Sequence, residues 1–141
     1  VREIIQELSV LYPHKKFPVN ISPVAFRFDE YWMGEALMNV IKNACEHTSG
    51  DGEIRVGMVR NVKIVTITVQ DDGGGVAADE LPLLFKRFYR SSAQQSGTGL
   101  GLAIAQSIIE RHHGTISAQN AGNGLRVTIC LPLLSGRLPV S

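Results

Sequence analysis

Residues 69–76, Val69-Gln70-Asp71-Asp72-Gly73-Gly74-Gly75-Val76, put a carboxylate where a core residue is expected. Val65, Ile67 and Val69 share one phase of a two-residue alternation, so one face of a strand ending here is apolar. Asp71 continues that phase. A carboxylate aimed at a core is costly unless something hydrogen-bonds it. Three glycines follow, and glycine lets a backbone turn sharply or approach a ligand closely. The stretch reads either as an acidic turn closing a strand or as the floor and rim of a ligand pocket.

The flanking pattern supplies the rest of a fold. Ile4, Ile5, Leu8 and Leu11 predict a helix over 2–11, ended by Pro13. Residues 17–22 and 24–28 read as short strands split by Ser22-Pro23. Asp29 is placed to cap a long helix over 30–47, with an apolar stripe of Met33, Leu37, Val40, Ile41 and Ala44. Asn39 and Asn43, one turn apart, flank that stripe, either as surface amides or as ligands at the edge of a buried face. Strands follow over 53–58 and 62–70 around an Arg60-Asn61 loop, then a short helix over 78–85. Gly97-Thr98-Gly99-Leu100-Gly101-Leu102 opens a helix to about His113, with Gly114 as its stop. A last hairpin, 115–119 and 125–131, turns at Gly122-Asn123-Gly124. Hairpins separated by helices predict an α+β two-layer sandwich, a mixed and largely antiparallel sheet covered on one face by about three helices.

Size and charge narrow the function classes. A chain of 141 residues, 44% hydrophobic and 19% charged, suits one globular domain, here 1–132 with a flexible tail over 133–141. A net charge of +1 gives no reason to expect nucleic acid. Cys45 and Cys130, far apart in sequence, form no zinc-type spacing and read as reduced, buried thiols. No apolar run reaches membrane-span length. The opening Val1-Arg2-Glu3 reads as a cut from a longer protein.

The glycine-rich helix start at 97–101 suits phosphate, through free N–H groups and the helix dipole, but equally suits tight packing. It is not a Walker loop, since no Gly-Lys-Ser/Thr follows. Four stretches in order resemble the N, G1, F and G2 boxes of the catalytic ATP-binding domain of bacterial two-component sensor histidine kinases: 37–44, 71–75, 84–90 and 97–102. The wider family includes DNA gyrase, the Hsp90 chaperones and the MutL proteins, and its ATP-binding fold is of the Bergerat type. The likeness runs from about Asp29 to Pro132.

The resemblance implies a role for each residue. Asp71 would accept a hydrogen bond from the adenine amino group, with Gly73 and Gly75 letting the backbone wrap the base. Asn43 would bind Mg²⁺ through its amide oxygen, supported by Asn39. Arg87 and Arg90 would reach the phosphates, Arg90 the γ-phosphate. Backbone N–H groups across Gly97, Thr98, Gly99, Leu100 and Gly101, with Leu102 following, would hold the β- and γ-phosphates. Residues 91–96 would belong to a lid. Hydrolytic members carry Glu where this chain has Asn39, and an amide is no general base at neutral pH. The implied reaction is transfer of the γ-phosphoryl to a histidine on a separate dimerisation and phosphoacceptor domain, and then indirectly to a response regulator.

Several positions depart from the pattern. Glu46 stands in place of a cation and is expected to face solvent, with Lys42 as a substitute. His47 replaces an aromatic residue and is expected to stack on adenine, or simply to end the helix. Asp72 replaces Asn and adds charge beside the pocket. His14, His47, His112 and His113 lack the context of a phosphoacceptor, so the acceptor domain is expected upstream. The isolated domain is expected to be monomeric, its parent a homodimer anchored in the bacterial inner membrane, and this part cytoplasmic. Two alternatives stay open: an anti-sigma-factor-type serine kinase, or a degenerate regulatory domain that holds no nucleotide.

Overall fold

The computed structural model describes residues 2–21, 30–48, 51–90 and 99–133. Its elements are α1 (Arg2–Leu11), β1 (Val19–Ile21), α2 (Glu30–His47), β2 (Ile54–Arg60), β3 (Ile64–Asp71), a short 3-10 helix (Ala78–Leu83), α3 (Gly101–Arg111), β4 (Thr115–Ala121) and β5 (Gly124–Pro132). The expected strand at 24–28, the Asp29 cap, the lid residues 91–96 and the end of the tail lie outside the described residues.

The strands form one sheet in the order β1-β2-β3-β5-β4. β1 runs parallel to β2, and the other neighbours are antiparallel. Alternation sets its two faces. Ile54, Val56, Val65, Ile67, Val69, Val127, Ile129 and Leu131 are buried on the helix side. Thr66, Thr68, Arg126 and Thr128 fall in the opposite phase and are half-buried. α2 and α3 pack against each other and onto that apolar face. The α2 stripe is buried as its spacing requires, joined by Ala36 and Cys45. Burial pushes the Cys45 thiol up to about 12, which leaves it an inert core group. α1 buries Leu8 fully, with Ile4 and Ile5 packed against the core. Truncating a fully buried residue such as Ile67 to alanine costs about 2–5 kcal/mol.

Two turns differ from the sequence expectation. β2 continues to Arg60, and the hairpin turns over 61–63, because Asn61 Oδ1 accepts the N–H groups of Lys63 and Ile64 at 2.8 and 2.9 Å. At the end of α3 the left-handed residue is His113, with φ 63, and not Gly114. Gly114 is needed for closeness instead: a Cβ there would lie 2.5 Å from the Cys130 carbonyl oxygen. Its N–H still closes the helix on the Ile109 carbonyl at 2.9 Å.

Candidate functional site

β3 and β5 pair up to Gln70 and Arg126. The next rung is taken over by a side chain: Leu125 N–H donates to Asp71 Oδ1 at 3.1 Å. Gly73 N–H donates to the same oxygen at 3.0 Å. Asp71 is 4% exposed, and burial raises its carboxyl above the usual range. The two N–H donors and the nearby His47 oppose that rise, while Asp72 adds to it. Among the described residues Oδ2 meets no hydrogen-bond donor. An acceptor-only carboxylate oxygen at the end of a strand, on a residue whose other oxygen is already held, is suited to an N–H of a ligand.

Glycine is required here by packing. A Cβ on Gly73 would overlap the His47 carbonyl, and one on Gly124 would overlap the Asp71 backbone. Gly75, at φ 74, lies against the Asn120 side chain. The loop after β3 is therefore clamped between the end of α2 and the β4–β5 turn.

The end of α2 supplies the second half of the site. Asn43 is buried, and among the described residues its Oδ1 has no hydrogen-bond partner. An orphaned buried amide oxygen costs about 1–3 kcal/mol. It fits a hard cation, which takes amide oxygens together with phosphates and waters. One turn earlier, Asn39 Nδ2 donates to the Glu35 carbonyl at 2.8 Å. α3 starts against Asn39: a Cβ on Gly101 would lie 3.3 Å from the Asn39 carbonyl oxygen and 3.6 Å from its Oδ1. Among the described residues no side chain caps that helix start. Its first N–H groups, free of intrahelical partners, therefore lie near Asn39 of α2. Leu102 is buried in the core and anchors the start, and Leu100 precedes it at the cap. Gly97 and Thr98 lie outside the described residues.

His47 joins the two halves. It is 4% exposed, and its Nδ1 is 2.9 Å from the Asn43 carbonyl oxygen. That bond and its burial hold the ring to its own helix beside Asp71. Thr48 Oγ1 bonds the Ala44 and Cys45 carbonyls, and Lys15 Nζ donates to the Thr48 carbonyl, which finishes α2.

The aromatic and basic run meets α3 through Phe88, at φ 66, whose N–H donates to the Gly99 carbonyl at 2.8 Å. Tyr89 Oη donates to Glu80 at 2.6 Å, and that bond pushes its phenol up to about 12. Arg87 and Arg90 are exposed. The Arg87 guanidinium lies 5.8 Å from the Phe88 ring centroid. It lines a groove on α3 with Trp32, Ile104, Ser107 and Arg111, a groove that includes neither Asp71 nor Asn43.

Asp72 adds negative charge beside Asp71, and its Oδ1 accepts the Glu53 N–H at 3.1 Å, tying the loop to the start of β2. Glu46 is half-buried instead of facing solvent. Burial raises its carboxyl against the pull of Lys42, His47 and Arg90, and it lies near enough to Tyr12 to raise that phenol. Tyr12 lies in the segment after α1, so this proximity is invisible in the pattern of α2 alone. Sequence reasoning also missed Leu125, whose backbone supplies a donor to Asp71, and Asn120. Only the Gly122-Asn123-Gly124 turn hinted at that region.

Comparison with known proteins identifies the family and the fold. The family model for "Histidine kinase-, DNA gyrase B-, and HSP90-like ATPase" matches residues 28–135. The chain is 33% identical over 138 residues to the heme sensor protein HssS of Staphylococcus saprophyticus, covering 89% of this chain and 30% of HssS. It is 35% identical over 133 residues to the sensor histidine kinase CpxA of Escherichia coli K12, covering 91% of this chain and 27% of CpxA. Among solved structures, the mycobacterial sensor histidine kinase MprB aligns with a TM-score of 0.87 and 26% identity, covering 94% of this chain and 92% of that one. The chain thus spans less than a third of the length of these curated relatives.

Proposed function

The chain belongs to the histidine kinase-, DNA gyrase B- and HSP90-like ATPase family, and on that premise we propose that it binds ATP with Mg²⁺ and donates the γ-phosphoryl group to a histidine on a separate dimerising domain of its parent. The observation that carries the reading is Asp71: a buried acid with one oxygen fixed by two backbone donors and the other meeting none among the described residues.

Asp71 Oδ2 accepts the adenine amino group, and Gly73 and Gly75 allow the base to lie against the backbone. Asn43 Oδ1 is the protein ligand for Mg²⁺. When bound, that ion neutralises charge on the phosphates. Asn39 supports the same region, and as an amide it cannot activate water, which favours transfer over hydrolysis. Arg90, with Arg87, reaches the γ-phosphate across the site, while backbone N–H groups from Gly97 to Gly101 hold the β- and γ-phosphates. An imidazole nitrogen of the acceptor forms the new P–N bond as the bond to the bridging oxygen breaks, leaving ADP. This chain's share of catalysis is positioning and charge stabilisation. The phosphoryl group then passes to a response regulator. The parent is a membrane-anchored homodimer with this domain on the cytoplasmic side.

The test supplies ATP labelled at the γ-phosphate, Mg²⁺ and the parent's acceptor domain as a separate chain. An acid-labile phosphoprotein is expected. An acid-stable product would favour a serine kinase, and no binding of any adenine nucleotide would favour a regulatory domain without nucleotide.

A further inference from the structure

The glycine loop after β3 does not support itself. Gly74 and Gly75 have φ of 91 and 74, so the segment cannot extend the ladder of β3. Its backbone bonds go to the β4–β5 hairpin instead. Asn120 Oδ1 accepts the Val76 N–H at 2.9 Å, and Asn120 Nδ2 donates to the Val76 carbonyl at 2.7 Å. One carboxamide thus satisfies both backbone groups of a loop residue, as a neighbouring strand would. Gly75 fits so closely that a Cβ there would lie 2.5 Å from Asn120 Oδ1. Two further bonds repeat the link: Gly74 N–H to the Asn123 carbonyl at 2.6 Å, and Gln70 Nε2 to the Ala121 carbonyl at 3.0 Å.

The hairpin itself has no need of this side chain. Asn120 is exposed, and β4 and β5 stay paired past it, through Asn120 with Leu125 and Ala121 with Gly124. The beneficiary is the loop, and through Gly73 N–H the loop fixes Asp71 Oδ1.

We propose that Asn120 is a positioning residue for the base end of the site: it holds residues 73–76 so that Asp71 meets the adenine in a preset geometry, without itself touching the nucleotide. This rests on the proposed adenine-nucleotide function. The bonds from Asn120 are neutral, so their loss loosens the loop without changing the charge of the pocket.

The test titrates the 141-residue chain, as wild type and as Asn120→Ala, with Mg-ADP, with adenosine and with Mg-tripolyphosphate, and measures thermal unfolding alongside. Asn120→Ala is expected to weaken ADP and adenosine by a similar factor, roughly 5- to 50-fold for two lost bonds. Tripolyphosphate affinity should change less than about twofold, and amide exchange at Gly74 and Val76 should quicken. A residue that only stabilised the fold would lower the melting temperature without separating base from phosphate affinity. Unchanged ADP affinity, or an equal loss for tripolyphosphate, overturns the proposal. Should Asn120→Ala fail to fold, Asn120→Asp is judged by the same ratio: it keeps an acceptor for Val76 N–H and opposes the Val76 carbonyl with a carboxylate. A wild-type chain that binds tripolyphosphate but neither ADP nor adenosine overturns the adenine reading itself, and the proposal with it.

Discussion

Phe88 and Gly99 are joined back to back: the Phe88 N–H donates to the Gly99 carbonyl at 2.8 Å, and both residues have positive φ, 66 and 79. The chain therefore leaves the aromatic run and returns to α3 at one point. Gly99 has no room for a side chain, since a Cβ would lie 2.6 Å from the Phe88 carbonyl carbon and 2.7 Å from the Tyr89 oxygen. Gly99→Ala is expected to destabilise the domain by about 1–3 kcal/mol, from backbone strain and the clash together. Denaturant unfolding reads the stability. The same variant should bind ATP more weakly, because Gly99 belongs to the proposed β- and γ-phosphate cradle.

Asp71→Asn is expected to keep the fold and lose nucleotide. The amide retains an acceptor for Gly73 and Leu125 but offers the adenine amino group a second donor or a neutral acceptor. Loss of a charged hydrogen bond predicts a roughly 10- to 100-fold weaker ADP affinity by calorimetry. Equal affinity would remove Asp71 from the site.

The raised carboxyl of Asp71 gives a pH signature. Its folded pKa lies above the ordinary value of 3.8, so the folded state binds the proton more tightly than the unfolded one. Its contribution to stability is fully present below 3.8 and is lost as pH rises through the folded value. Nucleotide affinity moves the opposite way, because the ionised form is the acceptor. In ligand-free protein the stability of the wild type minus that of Asp71→Asn should fall with rising pH across this window. ADP affinity of the wild type should rise across it.

Asn43→Leu separates stability from function. It removes a buried oxygen that has no partner among the described residues and leaves an apolar side chain of similar size. Ligand-free stability should be unchanged or higher by roughly 1 kcal/mol. The stabilisation by Mg²⁺ with ADP, seen as a shift in melting temperature, should vanish. A large loss of ligand-free stability would show that Asn43 serves the fold.

Asp72→Ala should matter to the fold and little to the nucleotide. The side chain bonds the Glu53 N–H at 3.1 Å. A cost of about 0.5–1.5 kcal/mol in stability is expected, with ADP affinity within about twofold. A large gain in affinity would mean that its charge opposes the phosphates after all.

The elements were legible where a single period controls burial. The alternation through Val65, Ile67 and Val69 placed Asp71 inward before any contact was known, and the stripe from Met33 to Ala44 placed Asn39 and Asn43 at the site edge. What escaped depends on distant partners. Leu125 contributes a backbone N–H, which any non-proline residue carries, and it reaches Asp71 only because β5 pairs with β3. Glu46 is half-buried near Tyr12 of the segment after α1, and Gly114 is small for the sake of Cys130. Neither partner can be read from the helix in which the residue sits.

The bond from Leu125 to Asp71 spans 54 residues of sequence, which bears on when the domain becomes competent during folding. A growing chain that has reached the end of α3 already carries both asparagines and the acid. It has not yet made the strand that holds that acid in place. Contacts so far apart are rewarded only after a long loop has closed, so they form late. Nucleotide therefore cannot template the early steps of folding. It can only trap the finished domain, and recognition of the base should switch on together with the docking of the last hairpin.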